Sequence, residues 1–214
     1  MNEQAVTFPS DELKLEGLLA LPENAPARRG GVVCHPHPLY GGSMYNNVVD
    51  AALAAMWRLG WATLRFNFRG VGASEGEHAN GIGEAGDAAA AVRFLTARAE
   101  VQPHATVLAG YSFGAMAAMA AAASVKDLGA LVLIALPLQM ADTQKLEQFP
   151  HPIILVGGDS DAYCPERGLR TLHGKLGARA ELAIIEGADH FFGGYEEELA
   201  GALEGRLAAI AAAS

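Results

Sequence analysis

Two kinds of segment alternate along the chain. Short runs rich in β-forming apolar residues fall at residues 31–34, 62–68, 106–109, 130–136, 153–156 and 182–185. Each run is almost wholly apolar, the pattern of a strand covered by helices on both faces of a parallel sheet. Longer stretches with helical periodicity separate them, clearest at residues 48–59, 84–99, 113–124, 166–175 and 196–212. Repetition of this kind predicts a three-layer α/β domain with a mostly parallel central sheet. The beginning differs. Residues 5–8 and 13–21 flank a Pro9-Ser10-Asp11-Glu12 turn and predict an antiparallel pair at one edge. No linker-like shift and no internal repeat divides residues 1–214, so a single domain is expected.

Composition narrows the function classes. With 214 residues, 51% of them hydrophobic and 18% charged, the chain can build a core without disulfide or metal staples. The formal net charge is −9 and no Lys/Arg cluster interrupts it, which argues against a nucleic-acid partner. Cys34 and Cys164 are too few for a disulfide scaffold. The start, Met1-Asn2-Glu3-Gln4-Ala5, has neither the basic nor the apolar region of a leader, and a cytoplasmic location is expected. Residues 105–125 carry no charge, but alanine dominates them and glycines interrupt them. A buried strand, a sharp turn and a buried helix explain that stretch better than a membrane span.

The turn in that stretch carries the chemistry. Gly110-Tyr111-Ser112-Phe113-Gly114 is a G-x-S-x-G motif, with the apolar run 106–109 leading in and a small-residue helix leading out. So tight a strand-to-helix turn lifts the serine hydroxyl above the sheet, and flanking glycines remove the Cβ atoms that would clash. The amide of Phe113 then lies at a helix N-terminus, where it can stabilise a developing oxyanion.

A serine hydroxyl needs a base and an orienting acid, expected here in the chain order Ser, acid, His. Gly157-Gly158-Asp159-Ser160-Asp161 follows the run 153–156, and Glu186-Gly187-Ala188-Asp189-His190 follows the run 182–185. His190 is the candidate base, because His151 precedes a strand and His173 sits within a helical stretch. Asp161 is the candidate acid, a few residues past the glycines and just ahead of a Pro-containing helix start. Asp159 is assigned to shaping the turn, and Asp189 adjoins the base in sequence and would point elsewhere.

These residues resemble an α/β-hydrolase, specifically the small lidless bacterial serine hydrolases similar to the dienelactone hydrolase group. The resemblance rests on His35-Pro36-His37-Pro38-Leu39-Tyr40-Gly41-Gly42, on the segment 67–76, on the 110–114 turn, on the Asp161 loop and on Gly187-Ala188-Asp189-His190. Serine at 112, where dienelactone hydrolase itself has cysteine, leaves acyl transfer intact and a lactone substrate unsupported. The resemblance implies that the loop after residue 34 supplies a second oxyanion amide. Pro36 and Pro38 have no N–H, so Leu39 is the first choice and Tyr40 the second.

Other readings remain at this level. His35 and His37, two apart, could pair with Asp159 or Asp161 around a metal, although the interleaved prolines suit a rigid loop better. Gly81-Ile82-Gly83-Glu84-Ala85-Gly86 matches a dinucleotide fingerprint but does not directly follow a strand. Arg69 reads as a loop anchor, Cys34 as a buried strand residue and Cys164 as oxidisable. The expectation is a carboxylesterase-like serine hydrolase, monomer or homodimer, acting on a small-molecule acyl substrate. It would need no cofactor or metal, and no membrane partner. A perhydrolase, a C–C hydrolase or a small-substrate peptidase would use the same triad, and a non-catalytic binding protein would not need it. Only residues 137–152 separate the fourth and fifth runs, too few for a lid domain, which implies an open, shallow site favouring short acyl groups.

Overall fold

The computed structural model describes residues 2–22, 29–102, 104–126 and 128–213. Eight strands form one sheet: β1 (Glu3–Ser10), β2 (Leu13–Ala20), β3 (Gly30–Cys34), β4 (Ala62–Phe66), β5 (Thr106–Tyr111), β6 (Leu128–Ile134), β7 (Ile153–Gly158) and β8 (Ala180–Ile185). Their order is β1-β2-β4-β3-β5-β6-β7-β8. Every pairing from β4 to β8 is parallel, while β2 runs antiparallel to both β1 and β4. The predicted mixed sheet with an antiparallel N-terminal edge is therefore present.

Six α-helices lie among the described residues: α1 (Asn47–Arg58), α2 (Ile82–Thr96), α3 (Phe113–Ala122), α4 (Gln144–Glu147), α5 (Glu166–Leu176) and α6 (Glu196–Ala213). Helices α1 and α6 pack together, and α2, α3, α4 and α5 form a contiguous layer. The apolar runs become strands because helices exclude water from both sides: β3, β5 and β7 are buried at every position. Alanine has a packing role here. Ala115, Ala117 and Ala118 of α3 are buried, which lets that helix lie close on the strands beneath it.

Two strands stop short of their apolar runs for local reasons. β4 ends just after Phe66: the Asn67 amide still donates to Glu16 O of β2, but the Phe68 amide turns away to the His35 side chain at Nε2. β6 ends at Ile134 because Ala135 turns to a positive φ of 47°. At the β8 edge, His173 Nε2 and Arg206 Nη2 bond the carbonyls of Ala180 and Leu182, which blunts that edge against pairing with another chain. The connection between β6 and β7 holds only the four-residue α4, so no lid stands over the sheet. No helix among the described residues is long and apolar enough to cross a membrane.

Candidate active site

Ser112 stands between β5 and α3 with φ 55° and ψ −117°, a conformation that L-residues rarely hold without support. Its amide donates to Ile134 O at 2.9 Å, tying the turn to β6. A Cβ on Gly110 would strike the Gly114 carbonyl, and one on Gly114 the carbonyls of Cys34 and His35. Both glycines of the motif are thus required by close backbone approach. Phe113 opens α3, so its amide has no partner within the helix. The first turns of α1, α2, α5 and α6 carry Asp50, Glu84, Glu166 and Glu196 to Glu198, whereas that of α3 carries no acid. Of these five helix N-termini, only the one at the serine keeps its positive end uncompensated.

The loops after β7 and β8 bring the candidate acid and the candidate base to that hydroxyl. Ser112 Oγ lies 2.9 Å from His190 Nε2, and His190 Nδ1 lies 2.8 Å from Asp161 Oδ2. Asp161 is 4% exposed, and its other oxygen accepts the amides of Tyr163 and Cys164 at 2.8 and 2.9 Å. Burial opposes ionisation of this carboxyl. The hydrogen bond from His190, together with the Cys164 and Tyr163 amides, outweighs it and holds the group below the usual carboxylate range. The ionised carboxylate accepts Nδ1–H and leaves Nε2 free to take the serine proton.

Further bonds hold the imidazole from behind. Tyr111 Oη donates to the His190 carbonyl at 2.8 Å, and the Tyr163 ring packs against the imidazole with centroids 4.8 Å apart. Burial, and the charges of Asp161 and Asp189, push the Tyr111 hydroxyl pKa up, so it stays a donor. No sequence signal marks Tyr111, since a tyrosine closing a buried strand is an ordinary core residue. The two acids passed over in the sequence have other partners: Asp159 Oδ1 accepts the Gly187 amide and Asp189 Oδ1 the Phe191 amide, each at 2.9 Å.

The loop after β3 forms a 3-10 turn, Pro38–Tyr40, capped by His37. The Tyr40 amide donates to His37 O at 3.1 Å, a main-chain bond of the turn itself. The Leu39 amide donates to His37 Nδ1 at 3.2 Å, a longer bond to a side chain. The His37 ring in turn packs on Phe113 at 4.7 Å, so one imidazole touches the residues of both candidate oxyanion amides. His35 is fully buried and both its nitrogens are used: Nδ1–H donates to Pro36 O at 2.7 Å and Nε2 accepts the Phe68 amide at 3.0 Å. Among the described residues no group of His, Cys, Asp and Glu is placed to hold a metal ion, and these two histidines serve the loop backbone.

Arg69 anchors its loop as expected, with Nη2 and Nε 2.8 and 3.0 Å from the two oxygens of fully buried Asp87. Cys164 corrects an expectation. It is fully buried, with its thiol pushed up to about 12 by burial and by the Asp161 charge, so it is neither exposed nor a thiolate near neutral pH.

A serine on a strand–helix turn, a histidine and a buried aspartate at the C-terminal ends of parallel strands, and no lid define the α/β serine hydrolase class. Within that class the chain belongs to the dienelactone hydrolase family, whose model matches residues 74–210. It is similar to an α/β serine hydrolase homologue from Coxiella burnetii, 33% identical over 97% of this chain and 98% of that one, with TM-score 0.88. It is also similar to a lidless α/β serine hydrolase from Xanthomonas campestris, 31% identical over 96% and 93% of the two chains, with TM-score 0.84. An uncharacterized protein of Rickettsia prowazekii is 34% identical over 96% of this chain and 89% of its own length. The chain is a hydrolase of this family.

Proposed function

We propose that the protein hydrolyses carboxylic esters through an acyl-enzyme on Ser112. The observation that carries this reading is the unbroken run of hydrogen bonds from Asp161 through His190 to Ser112. His190 takes the serine proton as Oγ attacks the ester carbonyl, and Asp161 stabilises the imidazolium that forms. The tetrahedral oxyanion is bound by the Phe113 amide and by the Leu39 amide, which exchanges His37 Nδ1 for the oxyanion. Each such donor is worth about 10²–10³ in rate. Collapse of the intermediate expels the alcohol, protonated by His190. Water, activated by the same imidazole, then attacks the acyl carbonyl and releases the acid. Tyr40 remains the second choice for the Leu39 role, and its amide is the more firmly held of the two. The buried, unpaired thiols of Cys34 and Cys164 suit a cytoplasmic enzyme.

The test is covalent labelling by a fluorophosphonate, compared with Ser112→Ala, followed by turnover of 4-nitrophenyl esters. Labelling should be confined to Ser112 and lost in the variant. A wild-type protein that neither labels nor cleaves any acyl ester would falsify the assignment.

A further inference from the structure

The large apolar side chains left exposed among the described residues all lie at one end of the molecule. Leu39, Tyr40 and Tyr45 follow β3, Ile82 opens α2 after β4, Met140 follows β6, Tyr163 follows β7 and Phe191 follows β8. This is the C-terminal edge of the parallel strands, where Ser112 opens. Several reach the reacting residues directly. Tyr163 and Phe191 pack on the His190 ring at 4.8 and 5.6 Å, and Tyr40 packs on His37, which packs on Phe113. Scattered exposed apolar residues need no explanation, but a ring of them around a nucleophile marks a ligand surface.

The charges at the same edge are one-sided. The segments 35–46, 67–81, 135–143, 159–165 and 186–195 contain one Lys or Arg, which is Arg69. Its guanidinium is held by Asp87, with Asp11 at 3.7 Å. Arg65 reaches these loops from β4 and is held by Glu3 and Asp50, each at 2.6 Å, beneath the Tyr45 ring. His78 faces the buried carboxylate of Glu84 at 2.8 Å. Against these stand the exposed carboxylates of Glu77, Asp142, Asp159, Glu186 and Asp189. Four of the helix N-termini that could attract an anion already carry their own acids. Lys14 lies at the start of β2 at this edge, beside Glu75 and next to a turn that carries Asp11 and Glu12, while Lys145 in α4 and Arg167 in the first turn of α5 lie outside the loops.

We infer that the substrate is a neutral ester whose apolar group rests on the Tyr163–Phe191–Met140 side of this rim, and that acyl compounds bearing a carboxylate or phosphate are excluded. This rests on the hydrolase reading above and deepens it. A carboxylate brought to Ser112 meets no unpaired cation in the loops that follow the parallel strands and several like charges, whereas an alkyl or aromatic group covers surface otherwise wetted. Thioesters of a phosphorylated carrier fall on the excluded side. Because no lid covers the rim, an alkyl chain is only half shielded. The gain is about twofold per methylene, against about fourfold for full burial, and ends where the rim ends.

The experiment compares 4-nitrophenyl butyrate with mono-4-nitrophenyl succinate, close in length and different in charge. At low ionic strength the neutral ester should have a kcat/KM at least about tenfold higher, and added salt should narrow the gap by screening the repulsion. Phe191→Arg should raise the rate on the succinate ester relative to butyrate, and Phe191→Ala should raise KM for hexanoate more than for acetate. Equal rates on the two esters, or a succinate rate that falls with salt, would overturn the inference. So would Arg167→Gln selectively abolishing succinate turnover. Fluorophosphonate labelling in the same preparation separates the failures: a labelled enzyme indifferent to charge sinks this inference alone, and an unlabelled one sinks the hydrolase reading with it.

Discussion

Asp159 Oδ1 accepts the backbone amide of Gly187 at 2.9 Å, so the loop carrying the acid is bonded to the loop carrying the base. The same junction is closed by the Ser160 amide, which donates to Ala188 O at 3.1 Å. Asp159 is therefore placed to fix the spacing of Asp161 and His190. Asp159→Ala should lower kcat by about tenfold to a hundredfold with little change in KM, since a displacement near 1 Å carries that order of penalty. Asp159→Asn keeps an acceptor oxygen and should recover most of the rate. An alanine variant with wild-type kcat would remove Asp159 from the catalytic frame.

Asp161 has a sharper signature. Asparagine in its place can keep the hydrogen bond to His190 only by stabilising the wrong tautomer, and it supplies no charge to the imidazolium. A loss of about 10³–10⁴ in kcat is expected for Asp161→Asn, with substrate binding nearly unchanged. Stopped-flow measurement of acylation with 4-nitrophenyl acetate would read it. A loss of only a few-fold would hand the role to Asp159 or Asp189.

Buried His35 makes folding depend on pH. Burial lowers its pKa from 6.5 to about 4, against the opposing effects of the Pro36 carbonyl and the Glu84 charge. Between those two values the unfolded chain binds a proton that the native protein refuses, so stability falls as pH drops through that window. The full loss is on the order of 3 kcal/mol by pH 4. Above pH 6.5 both states are neutral and the residue contributes no slope. Urea unfolding at pH 7.5, 5.5 and 4.5 should show this in the wild type, and His35→Gln should flatten the response over that window. Parallel curves for the two proteins would dissociate His35 from the acid sensitivity.

Ser112, Asp161 and His190 could be picked out in the sequence because each follows a buried apolar run that becomes a strand, which aligns three loops at one edge. Ser112 also carried its glycines, whose need is visible in the carbonyls of Gly114, Cys34 and His35 that a Cβ would strike. Strand ends were less legible. Phe68 is as apolar as Phe66, but its amide is taken by a histidine 33 residues away in sequence, and no local pattern carries that. The same holds for Tyr111 and the His190 carbonyl, 79 residues apart. Cys164 misled because sequence proximity to an acid says nothing about burial. The apolar rim was invisible for a related reason. Leu39, Ile82, Met140 and Phe191 look like ordinary loop residues until the strands place them at one edge of the sheet.

Arg69 and Asp87 form a buried pair away from Ser112, and breaking it should be costly. Asp87 is fully buried and accepts three bonds from Arg69, one from its amide and two from its guanidinium, as well as one from Ser10 Oγ at 2.7 Å. The pair ties the 67–81 loop to α2 and, through Ser10, to the end of β1. Arg69→Ala leaves a carboxylate buried without its cation, and a destabilisation of about 3–5 kcal/mol is expected. Lysine cannot reproduce the two-pronged guanidinium contact, so Arg69→Lys should recover only part of it. Arg69→Ala combined with Asp87→Asn should be more stable than Arg69→Ala alone, because the uncompensated charge is gone although a bond is still missing. Denaturant unfolding of the three variants reads this order directly. A double variant no more stable than Arg69→Ala would show that the lost packing of the arginine stem, and not the stranded charge of Asp87, sets the cost.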